Sequence, residues 1–228
     1  MHAPQTTEVR KYSPPAVDAL LAFAAALVSL RLSADLVGRF RSQRAFELAS
    51  WAAALGAYSA AAGALAWGAA AGWTDAAFRV YYLGGALLTA PLLGTGSLLL
   101  TGRRWAAPIA LVYTGLAIGI ALAVPFEGQL SGTDVPEAQD VLDFWPARVV
   151  AIGGNSLGTL AIVAVALATF RRRPLGNALL LAGVAVAAIG SALAGLGVGA
   201  LAPIIAAAAL LLYAGFVLPT GAALRRRL

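Results

Sequence analysis

Residues Val149–Phe170 read VVAIGGNSLGTLAIVAVALATF, and Arg171–Arg173 follow them directly. The stretch carries no charged residue, and as a helix it is long enough to cross the roughly 30 Å hydrocarbon core of a bilayer. It lacks the alternation of a barrel strand, so a helix is the structure that satisfies its backbone N–H and C=O groups in lipid. The stretch therefore predicts a transmembrane helix, and the arginine cluster marks its cytoplasmic end.

The composition extends this prediction to the whole chain. Of 228 residues, 61% are hydrophobic and 11% are charged, and the mean hydropathy is +0.83. Soluble domains are nearer half apolar and a quarter charged, and a chain of this length forms no soluble core large enough for the excess. We therefore expect an integral membrane protein, which excludes a disordered chain, a disulfide scaffold and an ordinary soluble enzyme.

Windows of about 20 apolar residues predict an all-α bundle of seven transmembrane helices, with the N-terminus outside and the C-terminus in the cytoplasm. The predicted spans are Val17–Val37, Leu48–Ala69, Val80–Leu100, Ala106–Val124, Val149–Phe170, Leu175–Ala194 and Ala200–Thr220. The first is the weakest, because only 12 uncharged residues separate Asp18 from Arg31. It crosses if Arg31 and Asp35 snorkel toward water; a cleaved signal peptide is the alternative interpretation.

The arginines set the predicted orientation through the positive-inside rule. With the N-terminus outside, the cytoplasmic side receives 12 of the 16 Lys and Arg residues, namely Arg31, Arg39, Arg41, Arg44, Arg103, Arg104, Arg171–Arg173 and Arg225–Arg227. The other four are Arg10, Lys11, Arg79 and Arg148. Because these residues form short clusters and no continuous basic face, we expect no nucleic-acid partner.

The segments outside the spans are an extracellular tail at 1–16, an extracellular loop at 125–148 and a basic cytoplasmic tail at 225–228. In the loop, an acidic residue, a proline and Glu137 follow one another from Asp134 as they do at a helix start. We therefore expect a short extracellular helix from about Pro136 to Phe144. Spans one to three cross the membrane in the same directions as spans five to seven, and corresponding spans end in similar sequences. A parallel 3+1+3 repeat is therefore a further hypothesis.

Missing residue types exclude most cofactor and enzyme chemistry. The chain has no cysteine, and its single histidine, methionine and lysine are His2, Met1 and Lys11. Disulfides, iron–sulfur clusters and Cys-ligated zinc are excluded. The helices contain no histidine or methionine to bind haem, no histidine for Ser-His-Asp catalysis and no lysine for a retinal Schiff base. We expect a protein that is not an enzyme and that holds no metal and no cofactor.

One candidate binding site combines three charged residues at the extracellular ends of spans one, three and five, namely Asp18, Arg79 and Arg148. The positive-inside rule disfavours arginines on the extracellular side, so the presence of these two favours a role in binding a carboxylate or phosphate. The alternative is that they pair with Asp18, Asp75 or Asp143, or contact lipid headgroups.

Polar groups in the middle of the spans extend this candidate site, because an amide or hydroxyl in lipid needs a partner. The residues are Asn155, Tyr58, Tyr113 and Tyr213. They either line a small polar cavity, which kinks at Pro91 and Pro203 would widen, or bond to other groups within the bundle.

A second charged set lies near the predicted cytoplasmic ends of the first two spans. Arg31 and Asp35 are one helical turn apart, and Glu47 begins span two. Charges at membrane depth are candidates for function, but snorkelling is cheap near an interface, so we predict a structural inner ion pair. Small-xxx-small spacing predicts close helix packing at three pairs, namely Gly115 with Gly119, Gly154 with Gly158, and Ser59 with Gly63.

Three stretches resemble segments of seven-span integral membrane proteins of high-GC Gram-positive (actinobacterial) bacteria. They are FRVYYLGGALLTAPLLG at Phe78–Gly94, the segment Asp140–Trp145, and RRRPLGN at Arg171–Asn177. The resemblance runs through most of the membrane region. That family has no known activity, so the resemblance implies a location in the bacterial plasma membrane and supplies no catalytic residue.

These features favour a non-enzymatic protein that binds or transports a small apolar, amphipathic or anionic molecule through an outward-facing cavity. The alternative is an accessory or scaffold subunit of a larger membrane complex, whose small-residue faces bind a membrane-protein partner or a second copy. Membrane lipids are expected partners in both cases.

Overall fold

The computed structural model describes residues 15–126, 130, 132–195, 204, 207, 208, 210–212, 214 and 215, of which 15, 16, 18, 187, 188 and 190–195 are described in their backbone only. Within these ranges all regular secondary structure is helical. Five of the helices are long and apolar enough to cross a membrane. The prediction of a helical, multi-pass membrane protein is confirmed at this level.

The helices follow the order of the predicted spans. They are α1 (Pro15–Gln43), α2 (Phe46–Ala71), α3 (Asp75–Leu100), α4 (Ala106–Ala123), the short α5 (Ala138–Val141), α6 (Val149–Ala168) and α7 (Pro174–Gly195). A kinked segment, Phe144–Arg148, leads into α6, and its Trp145 has non-helical φ and ψ of −113° and 136°. The first five predicted spans correspond to α1–α4 and α6, and the sixth to α7, whose part Pro174–Val186 is apolar. Most of the predicted seventh span lies outside the described residues.

The first helix extends beyond its predicted end at Val37 because its charged residues do not interrupt it. Arg39 and Arg41 lie exposed on its last turns, where long side chains reach water from within a helix. The helix stops at Arg44, whose φ is +54° and whose N–H donates to the Phe40 carbonyl at 2.8 Å. A residue in this left-handed conformation ends a helix, and glycine is the usual choice there.

Two serines hold α1 and α2 together as an antiparallel hairpin. Ser59 Oγ donates to the Ala26 carbonyl and Ser33 Oγ donates to the Ala52 carbonyl, each at 2.8 Å. Beyond this hairpin, α2 packs against α3, α3 packs against α6, and α4 lies at the edge of the bundle. We call the half with loops 72–74 and 132–137 the loop half, and the half with turns 44–45, 101–105 and 169–173 the turn half.

The loop half contains the larger apolar cluster, built around Phe78, whose side chain is completely buried. Trp73, Tyr82 and Leu142 pack around it. The short helix in the loop is shorter than predicted: it begins at Ala138 rather than near Pro136 and ends at Val141. Leu142 adopts an extended conformation and buries its side chain in the cluster, which takes the chain out of the helix before Phe144.

Candidate functional site

The third helix is interrupted in the middle of the membrane-spanning segment. Residues Tyr82–Leu88 form a π-helical stretch, in which the Thr89 N–H donates to the carbonyl of Gly84 five residues earlier. Pro91 follows one turn later and has no N–H to donate. In an α-helix, the N–H of an ordinary residue at position 91 would donate to the Leu87 carbonyl. In a π-helix it would donate to the Ala86 carbonyl. Pro91 therefore withholds one backbone donor from this part of α3, whichever register the helix adopts.

Two side chains from neighbouring helices donate to these two carbonyls. Tyr113 on α4 donates its hydroxyl to the Leu87 carbonyl at 2.8 Å, and Asn155 on α6 donates Nδ2 to the Ala86 carbonyl at 2.6 Å. A carbonyl without a donor is unfavourable in hydrocarbon, so these two hydrogen bonds stabilise α3 at its interruption. The structure thus brings together two predicted site residues, and both serve the backbone of α3.

Glycines let the donors come close enough. At Gly94 a Cβ would lie 2.6 Å from the Gly158 carbonyl oxygen, and at Gly158 a Cβ would overlap the Ala90 carbonyl. At Gly154 a Cβ would overlap the Tyr113 hydroxyl. The predicted close packing at Gly154 and Gly158 is confirmed, because the backbones of α3 and α6 meet where a side chain would not fit.

Arg79 binds the end of a helix rather than standing free at a pocket. Its Nη1 donates to the carbonyls of Ala121, Leu122 and Val124 at 2.5, 3.3 and 3.1 Å. The last carbonyls of α4 have no partner within the helix and carry the negative end of its dipole. The guanidinium also lies 4.2 Å from the centre of the Phe126 ring. Arg79 is therefore the C-terminal cap of α4.

Arg148, the second arginine of the predicted clamp, has a different environment. It is half-buried, and its guanidinium lies 5.4 Å from the centre of the Phe144 ring. Within the described part of the chain it makes no hydrogen bond or ion pair, and neither arginine pairs with Asp75 or Asp143. The structure therefore gives the two arginines separate contacts and does not join them around one site.

The remaining members of the predicted site are less informative. The Tyr58 hydroxyl is buried and has no hydrogen-bond partner among the described residues. The side chain of Asp18 and the whole of Tyr213 lie outside those residues.

The loop half contains a cavity lined by Arg79, Tyr82, Leu142 and Ala147, with a volume of about 10 Å³. This is close to the minimum that one water molecule requires, and far below the several hundred Å³ of a ligand pocket. Neither Tyr113 nor Asn155 lines it. Tyr113 and Asn155 are packed into the bundle, and the outward-facing cavity stays a prediction.

The predicted inner ion pair is not formed in this structure. Arg31 and Asp35 are both exposed on α1, Glu47 is half-buried on α2, and no ion pair joins any two of these three described residues. Exposed side chains on a helix surface have no packing neighbours to hold them in one rotamer, which explains the absence of a fixed contact. An ion pair among these residues in a membrane stays a prediction.

A larger concavity lies in the turn half, between α1 and α2. This hairpin groove has a volume of about 830 Å³ and is lined by Ser33, Val37, Phe40, Arg41, Arg44, Ala49, Ala52, Ala53 and Gly56. The sequence carried a signal for it, since Ala49, Ala52, Ala53 and Gly56 are small residues on one face of α2. These small residues follow Arg39, Arg41 and Arg44 closely in the sequence, and the sequence analysis assigned no role to them.

Among the residues that the structure describes, no group of His, Asp or Glu side chains is arranged to hold a metal ion. No protein-family model matches the chain, and no curated protein or solved structure matches it.

Proposed function

We propose that this protein is a non-enzymatic, multi-pass protein of a bacterial plasma membrane. In this proposal it crosses seven times, with the loop half toward the outside and the turn half toward the cytoplasm. The five long apolar helices support the membrane location. The excess of arginines at the turn half supports the orientation, since positive residues are retained on the cytoplasmic side.

We further propose that it acts as an accessory or scaffold subunit, which binds another transmembrane helix through α4. The supporting observation is an exposed small-residue pair, Gly115 and Gly119, with no atom within 4 Å of the position of a Cβ at either glycine. Leu111 and Val112 on the same helix are 76% exposed. Gly154 and Gly158, with the same spacing, are already packed within the bundle, whereas both glycines of the α4 pair are exposed and open to a partner.

The contacts of the predicted ligand residues favour this proposal over an outward-facing pocket. Arg79 caps α4, and Tyr113 and Asn155 satisfy carbonyls of α3. A group that already satisfies a buried carbonyl leaves that carbonyl unpaired if it turns to a ligand, at a cost of about 1–3 kcal/mol.

Replacement of both α4 glycines by leucine tests the scaffold function. We expect wild-type protein, extracted in membrane-derived nanodiscs, to carry a second chain, either another copy or a different membrane protein. The double variant Gly115→Leu/Gly119→Leu should carry one chain, because leucine prevents backbone approach. Gly153→Leu is the matched control, since Gly153 on α6 is also exposed with open space beyond it. A wild-type protein that is a single chain in its native membrane would overturn the proposal.

Binding of a small anionic or amphipathic molecule at the loop half is the second candidate, and Arg148 favours it. Its half-buried guanidinium contacts the Phe144 ring and no polar group of the described chain. The same purifications separate the two candidates. If Arg148→Gln removes a co-purifying small molecule while the leucine variant leaves the mass of the assembly unchanged, the binding function replaces the scaffold function.

A further inference from the structure

The hairpin groove has the dimensions of one leaflet. It runs along α1 from Ser33 to Arg44, and the helical part, to Gln43, covers about 15 Å at 1.5 Å per residue. This is half of the roughly 30 Å hydrocarbon core. Its volume of about 830 Å³ lies within the range of natural ligand sites.

The groove exists because one wall is made of small residues. Ala49, Ala53 and Gly56 of α2 leave space opposite Val37 and Phe40 of α1. The hairpin remains closed further along, where Ser33 donates to the Ala52 carbonyl and Ser59 to the Ala26 carbonyl. The walls are apolar, and the open end at the turn carries the guanidinium groups.

Arg41 and Arg44 are exposed at that end, and both line the groove. Arg44 is the only non-glycine residue with positive φ in the described chain, at +54°. Glycine or asparagine would adopt this conformation at lower cost. Because Arg44 lies at the open end of an apolar groove, the site has a charged end and an apolar interior.

We propose that the hairpin groove binds an anionic phospholipid. The lipid phosphate contacts the guanidinium groups of Arg41 and Arg44, and an acyl chain lies along Val37, Ala53 and Gly56. Charge complementarity carries this assignment, because guanidinium groups bind phosphate through paired, charge-assisted hydrogen bonds. Basic sites between transmembrane helices at the cytoplasmic side take the headgroups of anionic lipids by the same chemistry.

Among the residues that the structure describes, only those of α1, α2 and the turn between them line the groove. The described residues near 212 and 215 lie against α7, where a Cβ at Gly183 would meet Leu212 and one at Gly215 would meet the Gly176 carbonyl. The segment 225–227 is basic and would be repelled by Arg41 and Arg44. A phospholipid satisfies both the charge and the apolar walls.

Native mass spectrometry of the full chain in detergent tests the site, with phosphatidylglycerol and phosphatidylcholine of equal chain length as probes. We expect phosphatidylglycerol to bind roughly tenfold or more tightly than phosphatidylcholine, because each arginine near the membrane surface favours an anionic headgroup. Arg41→Gln/Arg44→Asn should abolish that preference, and asparagine tolerates the left-handed conformation at 44. Ala53→Trp, which fills the groove and keeps both charges, should reduce binding of both lipids.

Arg103→Gln/Arg104→Gln is the matched control, because it removes two exposed arginines from the other turn of the same half. It should retain the preference for phosphatidylglycerol. Equal losses in the two double variants, unchanged binding in Ala53→Trp, or full competition by glycerol phosphate without acyl chains would each overturn the proposal. None of these outcomes depends on the proposed scaffold function, which is tested at α4.

Discussion

Arg79 of the loop half and the two arginines of the hairpin groove in the turn half differ in what they contact. In the loop half, Arg79, Tyr113 and Asn155 donate to backbone carbonyls, and the cavity beside Arg79 measures about 10 Å³. In the turn half, Arg41 and Arg44 stand exposed beside a groove of about 830 Å³. Arg79 lies beside the unpaired carbonyls of a helix end and donates to them, whereas the side chains of Arg41 and Arg44 make no hydrogen bond within the described residues.

The close approach of the α3 and α6 backbones at Gly158 gives the largest predicted effect. We expect Gly158→Leu to destabilise the protein by at least about 3 kcal/mol, because its side chain would overlap the Ala90 carbonyl, and backbone cannot move aside as a flexible side chain can. Reversible unfolding in mixed detergent micelles measures the change.

Gly153→Leu is the control for that measurement, since nothing lies within 4 Å of a Cβ at Gly153. Its effect should be within about 0.5 kcal/mol of zero. Similar losses in the two variants would show that α3 and α6 do not approach as closely as described.

The two arginines of the loop half should differ in their contribution to stability. We expect Arg79→Gln to cost about 2 kcal/mol, since it removes charged hydrogen bonds to three carbonyls of the α4 terminus and a contact with the Phe126 ring. Arg148→Gln should cost about 0.5 kcal/mol, because Arg148 contacts a single ring at 5.4 Å. The same unfolding measurement compares them, and equal costs would contradict the assignment of Arg79 as a helix cap.

Much of the fold follows from apolar length alone. The first five predicted spans each coincide with a long helix, and α4 ends within one residue of its predicted end. The largest errors in the helix ends lie where charged residues continue a helix, as Arg39 and Arg41 do in α1. A window that counts apolar residues ends where charged residues accumulate, whereas the helix ends where a backbone conformation or cap ends it.

The candidate site was harder to predict, because its residues act through contacts between helices. Asn155 and Pro91 are both conspicuous in the sequence, yet only the approach of α6 to α3 shows that one compensates for the other. The π-helical register at Tyr82–Leu88 has no signal of its own beyond Gly84 and Gly85. The position of Arg79 near a predicted loop indicated that it binds a ligand. The carbonyls at the end of the neighbouring helix are equally good acceptors for its guanidinium group.

A double-mutant cycle between Pro91→Ala and Tyr113→Phe measures the repair of the α3 backbone most directly. Tyr113→Phe alone should cost about 0.6 kcal/mol, the average for a hydrogen bond between membrane helices, because the Leu87 carbonyl loses its donor. With alanine at 91, the restored N–H can donate to that carbonyl, and the cost of Tyr113→Phe should fall close to zero. If the two substitutions are instead strictly additive, Tyr113 does not compensate for Pro91, and the polar residues of the loop half require another explanation.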